Sequence, residues 1–209
     1  MKKFLILVTI MSFGFCNIDT PMIEKQKYTI LEKKITNAAP IIEFFSFLCP
    51  HCYTLEKKYQ LDYNIKKNIS NSIKIAKYHV NFLGGELGES LTHIWEMSKM
   101  MGLDKKILMP IFEKIQQHKT ITDFYTLKNE FLKLTKIDEK EFNFLWNSFV
   151  VKSMLYNQKI IQNILKIDRV PFIFINGKYA INNTNISQRS NKDFIKEYIY
   201  IIKCLLNKY

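Results

Sequence analysis

Two cysteines separated by two residues, Cys49 and Cys52, constrain this chain more than any other feature. They follow an apolar run of strand length, Glu43 to Leu48, and precede a stretch of helical periodicity, so they lie at a predicted strand-to-helix turn. Because proline favours the first helical position, Pro50 places Cys49 at or next to the helix N-cap. There the free backbone N–H groups, the helix dipole and a charged His51 stabilise the Cys49 thiolate. Cys52 lies inside the first turn, where burial raises a thiol pKa, so the sequence predicts an asymmetric dithiol with Cys49 as the reactive partner.

A zinc site and a structural disulfide are the alternatives to a redox-active cysteine pair, and both stay open. A structural zinc ion needs four cysteine or histidine ligands, but the histidines outside the motif stand at no ligand spacing; these are His79, His93 and His118. A disulfide across two intervening residues closes a small loop and constrains the unfolded chain little. Redox chemistry is therefore the favoured interpretation, and we expect neither a metal nor another cofactor.

Several blocks of sequence occur together in a recognisable order. They are Glu43–Phe47 followed by Cys49–Tyr53, Lys77–Phe82 with Gly84 and Gly85, Trp146–Ser153, Val170 with Pro171, and Asn176–Tyr179. In this order they resemble the DsbA family of bacterial thiol:disulfide interchange proteins, from about Tyr28 to the C-terminus. The resemblance implies an α/β protein with a thioredoxin fold, in which a helical domain is inserted between the β-α-β half and the C-terminal ββα half.

The predicted domain organisation has four segments. Residues 1–16 begin with Lys2 and Lys3 and continue with an apolar run of about a dozen residues, which is short for a membrane span and typical of a cleaved secretory signal. Residues 17–81 and 159–209 are predicted to form the two halves of the thioredoxin-like domain, and residues 82–158 the inserted helical domain. A lipoprotein is disfavoured because the bulky Phe15 precedes Cys16, and an uncleaved anchor is the other alternative. Export places the protein in the periplasm, where a dithiol can stay oxidised.

Hydrophobic periodicity predicts the secondary structure around the motif. We expect an edge strand at Tyr28–Ile35, parallel strands at Ile41–Leu48 and Ile73–Val80 joined by one helix from Pro50 to Ile69, and a hairpin of Val170–Ile175 and Lys178–Ile181. Further helices are predicted at Leu91–Met101, Lys105–Gln117, Asp123–Leu134, Glu139–Leu165 and Asp193–Leu206. Gly84, Gly85 and Gly88 have the wrong spacing for a dinucleotide fingerprint and are predicted to form a loop into the insertion.

A carboxylate inside a strand that is apolar on both faces is costly to bury unless it is neutral or paired, which makes Glu43 conspicuous. The resemblance implies that Glu43 lies beneath the cysteines, pairs with Lys77 and helps to move the Cys52 proton. A glutamate at the strand rim with a solvated head is the alternative. The resemblance also implies that Pro171 is a cis proline facing the cysteines and that Val170 offers its backbone to a bound peptide. Without it, Pro171 is only a proline that opens a strand.

The net charge of +12 comes almost entirely from lysines scattered along the chain. A nucleic-acid site more often clusters arginine and lysine on one element, so we expect no nucleic-acid partner. A basic surface still favours anionic membranes or acidic clients. No dedicated dimerisation region is evident, so a monomer is expected. Cys204 lies in an apolar helix and has no evident partner once Cys16 is removed with the export signal, so it is predicted to be a buried free cysteine.

The predicted function is that of an exported oxidase that gives its Cys49–Cys52 disulfide to newly translocated, reduced cysteine-containing polypeptides through a mixed disulfide at Cys49. The resemblance implies reoxidation by a quinone-linked membrane partner of the DsbB type. A lowered Cys49 pKa favours the reduced protein, and three pKa units correspond to roughly 90 mV in a two-electron couple. Two alternatives stay open: an isomerase or reductase on the same fold, and a peptide-binding holdase in which the disulfide is inert.

Overall fold

The structure is a computed structural model that describes residues 27–32, 34–36, 38–186 and 190–208. The predicted export signal, residues 1–16, lies outside the described residues. The strands are β1 (Tyr28–Ile30), β2 (Ile41–Phe45), β3 (Ile75–His79), β4 (Phe172–Ile175) and β5 (Tyr179–Ile181). The helices are α1 (Pro50–Lys57), α2 (Leu61–Asn68), α3 (Gly85–Met100), α4 (Asp104–Gln116), α5 (Phe124–Thr135), α6 (Glu139–Asn147), α7 (Phe149–Ile164) and α8 (Asn191–Leu206), with a 3-10 turn at Asn183–Asn185.

The described strands form one sheet in the order β1-β5-β4-β2-β3. As predicted, β2 and β3 are parallel, and β1 is an edge strand; the other pairings are antiparallel. The β4–β5 hairpin turns at Asn176 and Gly177, whose φ angles of 53° and 62° are those of the tight turn that the Asn-Gly pair predicts. Helices α3 to α7 lie in the chain between β3 and β4. The predicted thioredoxin fold with a helical insertion is thus confirmed.

The central strand β2 is buried along its whole length because packed layers cover both faces of the sheet. Ile41 belongs to an apolar cluster with residues of α1, α2 and α8, whereas Ile42 and Phe44 belong to a second cluster with Leu165 and Phe174. Phe45 joins a third cluster that contains both motif cysteines and the core of the helical insertion. The end of β2 is therefore held by the thioredoxin-like part and by the insertion at once.

The predicted single helix from Pro50 to Ile69 is wrong, because the chain breaks between α1 and α2. Gln60 adopts a left-handed conformation with φ 45° and ψ 51°. The Asn64 side chain donates hydrogen bonds to the carbonyls of Tyr59 at 2.9 Å and Gln60 at 3.2 Å. In an unbroken helix these carbonyls would accept from backbone N–H groups of the next turn. The break lets Tyr59 stack on Phe194 of α8, with ring centroids 4.0 Å apart. Tertiary packing has overridden the helical pattern.

The predicted helix Glu139–Leu165 is also divided, into α6 and α7. Ser148 has an extended backbone with φ −63° and ψ 143°, and its Oγ accepts a hydrogen bond from the Val151 N–H at 3.2 Å. It thus ends α6 and caps α7. Because α7 continues to Ile164, the predicted domain boundary after residue 158 falls inside a helix.

The three glycines predicted to form a loop instead begin helix α3. Gly84 is its N-cap, with φ 81°, and a Cβ there would lie 2.2 Å from a methyl carbon of Leu48. Gly88 lies in the first turns of the helix, where a Cβ would lie 1.9 Å from the Leu83 carbonyl oxygen. Gly84 therefore permits close approach of the helix start to Leu48 in the loop before Cys49, and Gly88 permits close approach to Leu83 in the segment that leads into the helix.

Cys204 is buried in α8 and takes part in a disulfide bond in the full-length chain. The free Cys204 was expected for the protein without residues 1–16, and it stays a prediction. An apolar helical context shows that a cysteine is buried, but it does not show whether another cysteine meets it. Among the described residues, no helix combines the length and the apolar character needed to cross a bilayer.

Candidate active site

Cys49 occupies the N-cap of α1, as the proline after it predicts. Its backbone is extended, with φ −92° and ψ 114°, and Pro50 begins the helix. The Cys49 Sγ accepts a hydrogen bond from the backbone N–H of Cys52 at 3.3 Å. The sulfur thus takes the place of a capping oxygen, and the free N–H groups of the first helical turn point toward it.

The two cysteines have opposite acidities. A hydrogen bond from the Cys52 thiol, supported by the backbone N–H groups of Cys52 and His51, lowers the pKa of Cys49 to about 7 against the opposing effect of burial. Burial, followed by the hydrogen bond to Cys49 and the charge of Cys49, raises the pKa of Cys52. The Cys49 thiol therefore ionises near neutral pH, whereas the Cys52 thiol stays protonated. His51 contributes through its backbone, and the role of its charged ring stays a prediction.

We expect the reduced protein to form one thiolate with a midpoint near pH 7, because the pKa of Cys49 falls from 9.0 to about 7. Because the Cys49 pKa is lower in the folded than in the unfolded protein, ionisation of Cys49 stabilises the folded, reduced protein. This contribution is fully present above pH 9.0 and is lost as the pH falls through about 7. Ultraviolet thiolate absorbance during a pH titration measures the midpoint. Cys52→Ala should raise it, since the Cys52 thiol is the largest stabiliser. A wild-type midpoint near 9 would contradict the capping argument.

The loop before Cys49 is held through the peptide groups of Phe47. Its N–H donates to Nε2 of His79 at 3.0 Å, and its carbonyl accepts from Nε2 of Gln116 at 2.7 Å. Because Nε2 of His79 is an acceptor, the ring proton is on Nδ1 and donates to the Thr92 hydroxyl at 2.8 Å. Burial lowers the pKa of His79 to about 3, so the ring is neutral. His79 of the thioredoxin-like part, with Thr92 and Gln116 of the insertion, thus holds the loop that leads to Cys49.

Pro171 lies beside the dithiol, and the Val170–Pro171 peptide bond is cis, as the resemblance implies. The Val170 carbonyl oxygen lies 3.5 Å from Sγ of Cys49 and accepts a hydrogen bond from its thiol when Cys49 is neutral. The Pro171 carbonyl oxygen accepts from the side-chain amide of Asn183 at 2.8 Å. The segment is thereby anchored within contact of the reactive sulfur.

A buried ionic cluster lies at the β2–β3 pair, where Glu43 and Lys77 are direct neighbours. The Lys77 ammonium forms ion pairs with the carboxylates of Glu43 and Glu56, and a third with Asp62 at 3.2 Å. The pairing of Glu43 with Lys77 was predicted by resemblance, and the rim position is wrong because Glu43 is buried. Sequence reasoning missed Glu56 and Asp62, although Glu56 stands one helical turn after Cys52 and was detectable as a carboxylate on that helix face.

Charge balance in this cluster sets the protonation of Glu43. Burial raises the pKa of Glu43 to about 8, opposed by Lys77 and assisted by the charges of Glu56 and Asp62. Burial lowers the pKa of Lys77, but the charges of the three carboxylates outweigh it and hold that pKa well above its ordinary value. The charge of Glu43 also contributes to the raised pKa of Cys52. Glu43 is therefore a carboxyl group that can exchange a proton near neutral pH and that acts on the buried thiol.

The three carboxylates lie within 4.8 Å of one another, a spacing that suits a cation. The Lys77 ammonium takes that position by pairing with all three. The cluster is thus a lysine-centred ionic network, in which the ammonium supplies the positive charge that a bound metal ion would otherwise supply.

A cavity of about 480 Å³ opens beside the dithiol. One wall consists of His51, Val170 and Pro171. The rest is mainly apolar or amide-bearing and includes Leu55, Tyr59, Phe172, Ile181, Asn182, Asn183 and Phe194. An extended peptide that follows this wall would pass the reactive sulfur of Cys49.

Comparisons with known proteins agree with this geometry. The family described as the DSBA-like thioredoxin domain matches residues 40–195. The thiol:disulfide interchange protein DsbA of Buchnera aphidicola subsp. Baizongia pistaciae is 48% identical over 100% of this chain and 99% of its own length. Escherichia coli K12 DsbA is 34% identical over the full length of both chains.

Solved structures show the same similarity. The crystal structure of Proteus mirabilis DsbA has a TM-score of 0.80 and 32% identity, and the alignment covers 88% of this chain and 97% of that one. A second structure of the Proteus mirabilis protein, a cysteine-to-serine variant, contains a non-covalently bound peptide, PWATCDS, and also has a TM-score of 0.80, with 32% identity over 88% of this chain and 98% of that one.

Proposed function

This chain belongs to the family of DSBA-like thioredoxin domains and is a thiol:disulfide oxidoreductase, and we propose that it donates its Cys49–Cys52 disulfide to newly exported proteins. The observation that carries the proposal is the opposite acidity of the two cysteines, with the pKa of Cys49 lowered to about 7 and that of Cys52 raised. A pair of this kind has one good leaving group and one thiol that stays protonated.

The exchange proceeds in two steps that conserve electrons. A client thiolate attacks Sγ of Cys49, which forms a mixed disulfide, breaks the Cys49–Cys52 bond and releases Cys52 as a thiolate that takes up a proton. A second client thiolate then attacks the client sulfur of the mixed disulfide and expels the Cys49 thiolate. The client is oxidised by two electrons, and the protein is reduced by two.

The low pKa of Cys49 favours both the rate and the direction of this reaction. A thiol with a lower pKa leaves faster, so the second step is accelerated. The hydrogen bonds to the Cys49 thiolate also stabilise the reduced protein, and each pKa unit corresponds to roughly 30 mV in a two-electron couple. The fall of the Cys49 pKa from 9.0 to about 7 makes the reduction potential of the cysteine pair more oxidising, by roughly 60 mV above pH 9 and by less at lower pH.

The cavity beside the dithiol is the proposed client site. Val170 would pair through its backbone with an extended client segment, next to Pro171 and His51, as a strand adds to an exposed edge. The peptide-bound Proteus mirabilis structure supports this use, since its peptide contains a cysteine. The shape and the largely apolar lining suit an unfolded polypeptide better than a small polar substrate.

Reoxidation and location complete the proposal. A donor that works repeatedly must be reoxidised, and we propose a quinone-linked membrane oxidase of the DsbB type as the electron acceptor. The protein is proposed to act as a monomer in the periplasm after removal of residues 1–16, because clients leave the membrane there in reduced form and a disulfide persists in that compartment.

A stoichiometric assay tests the proposed direction. Oxidised protein is mixed with a reduced, unfolded client that has two native disulfides, and client thiols are counted by mass after alkylation. We expect rapid loss of client thiols and one reduced Cys49–Cys52 pair per disulfide made. Slow oxidation combined with fast rearrangement of a scrambled client would instead support the isomerase alternative.

Replacing Glu43 with glutamine should slow the proton-coupled steps at Cys52 on the order of 10²-fold, because the variant removes the buried carboxyl group that exchanges the Cys52 proton. The redox equilibrium should change much less, since the disulfide and dithiol forms lose the same neighbour. Stopped-flow fluorescence during reduction by a client peptide measures the rate. Glu56→Gln is the matched control, because Glu56 pairs with the same Lys77. Equal rates in Glu43→Gln and wild type would remove the proton-transfer role.

A further inference from the structure

Helix α7 of the insertion packs through only one of its faces. The buried positions are Val151, Gln158 and the capping Leu165, seven residues apart, and they form one row along the helix. The Gln158 side-chain amide donates to the carbonyl of His79, the strand residue whose ring accepts from the Phe47 N–H in the loop before Cys49. The opposite face of α7 is directed outward.

That outward face carries an apolar stripe, in which Ser153 is the polar residue between Phe149 and Tyr156. Phe149, Tyr156, Ile160 and Ile164 follow at spacings of seven, four and four residues, which places them in one stripe. Their exposed fractions are 85%, 67%, 39% and 64%. Single exposed apolar residues need no explanation, but four in one row on a single helix form a contiguous patch of the kind that marks a contact surface.

The charges next to this stripe are positive. Lys152 and Lys159 are exposed and seven residues apart, so they form a row beside the apolar stripe, and the exposed Lys166 follows the end of the helix. Helix α7 contains no aspartate or glutamate. Glu89 is the carboxylate that lines the hollow of about 300 Å³ beside Tyr156 and Lys159. The chain as a whole carries a net charge of +12.

We propose that the outward face of α7 docks on the surface of an anionic phospholipid membrane. An amphipathic helix with aromatic and aliphatic residues on one side and lysines beside them lies in the membrane interface, where its apolar row enters the headgroup region and its lysines contact anionic headgroups. Each such lysine strengthens binding about fivefold. Docking would hold the oxidoreductase next to the membrane that newly exported chains leave.

A second copy of the chain fits the same face less well. Four side chains of this size offer roughly 400 Å², whereas a stable dimer buries about 800 Å² on each partner. Pairing two copies through this face would also bring lysine rows together in a protein that already carries a net charge of +12. Anionic lipid supplies the opposite charge and requires no matched shape.

Vesicle flotation of the full-length mature protein tests the proposal. The probes are vesicles of phosphatidylglycerol mixed with phosphatidylethanolamine, and vesicles of phosphatidylcholine alone. We expect binding to the anionic vesicles that weakens as salt is raised, and little binding to phosphatidylcholine. The double variant Ile160→Ser with Ile164→Ser should weaken vesicle binding at least about tenfold. The double variant Lys152→Gln with Lys159→Gln should weaken it about 25-fold, because each lysine contributes a factor of about five.

Matched variants distinguish binding through α7 from a general attraction between the positively charged protein and anionic vesicles. Lys67→Gln with Lys140→Gln removes the same charge from other exposed positions, and Tyr63→Ser with Tyr125→Ser removes apolar surface elsewhere. These controls should keep most of the binding, and all variants should exchange disulfides with a soluble peptide at the wild-type rate. Equal losses in controls and α7 variants would overturn the proposal, as would absence of wild-type binding. Self-association that the α7 variants abolish, without vesicle binding, would assign the face to a second copy.

Discussion

Replacing Cys52 with serine is expected to convert the protein into a trap for its clients. Cys49 keeps its thiolate, because the backbone N–H of Cys52, 3.3 Å from its sulfur, remains as a donor. With a client whose single cysteine is activated as a mixed disulfide with a small thiol, the Cys49 thiolate attacks the client sulfur, expels the small thiol and forms the adduct. Neither Cys52 nor a second client thiol is then present to release it. We expect a covalent adduct at Cys49 to accumulate to near completion, and net disulfide donation to fall to the uncatalysed rate. Non-reducing electrophoresis with mass analysis of the adduct measures both.

Cys49→Ser is the matched control for the trap. It removes the reactive sulfur and leaves Cys52, which is fully buried and has a raised pKa, so neither adducts nor donation should be detected. A Cys49→Ser variant that still promotes client folding as well as wild type would contradict the exchange mechanism and support the holdase alternative. Adducts at Cys52 in that variant would reverse the assigned roles.

Replacing Lys77 with methionine is expected to lower the free energy of unfolding by about 3–5 kcal/mol near pH 8, because it leaves buried carboxylates without their cation. Lys77 pairs with Glu43, Glu56 and Asp62, and the side chains of the first two are buried, with 3% and 9% of their surface exposed. Urea denaturation of the reduced protein measures the loss. The methionine keeps the length of the lysine stem, so a packing defect contributes little.

The pH dependence of this loss distinguishes charge from packing. Burial already raises the pKa values of Glu43 and Glu56, and without Lys77 they rise further, so the penalty is absent where both of these carboxyls are protonated. It grows as the pH rises from about 4 through their raised values. The loss should therefore be much smaller at about pH 4 than at pH 8. Lys57→Met, at an exposed ion pair with Glu113, should change stability little at either pH. A pH-independent loss at Lys77 would contradict the ionic account.

Local chemistry made the dithiol predictable from the sequence. A proline after Cys49 specifies the helix start, and Asn176-Gly177 specifies a hairpin, because both depend on backbone preferences of one or two residues. The run from Ile41 to Leu48 made the central strand predictable for a different reason, because a strand covered by helices on both sides is apolar on both faces. The cis bond at Pro171 and the ion pair between Glu43 and Lys77 were reached only through the family resemblance.

Features that depend on tertiary contacts could not be predicted from the sequence. The break at Gln60 is fixed by stacking of Tyr59 on Phe194, more than a hundred residues later in the chain. Asp62 lies in the first turn of α2, directly after that break, and pairs with Lys77 at 3.2 Å. The sequence does not indicate the partners of His79, because the Phe47 N–H and the Thr92 hydroxyl stand at no characteristic spacing from it. Such positions are specified by packing between separate elements, which periodicity does not record.

The most direct test of the central claim is the redox equilibrium of the Cys49–Cys52 pair in graded mixtures of reduced and oxidised glutathione. Mass analysis of the alkylated peptide that contains both residues counts the pair without interference from Cys204, which is in a different part of the chain. We predict a pair that stays largely reduced in mixtures that keep a thioredoxin largely oxidised, and a protein that is more stable reduced than oxidised. Equilibration near the thioredoxin value of about −270 mV would contradict the account and favour a reductase.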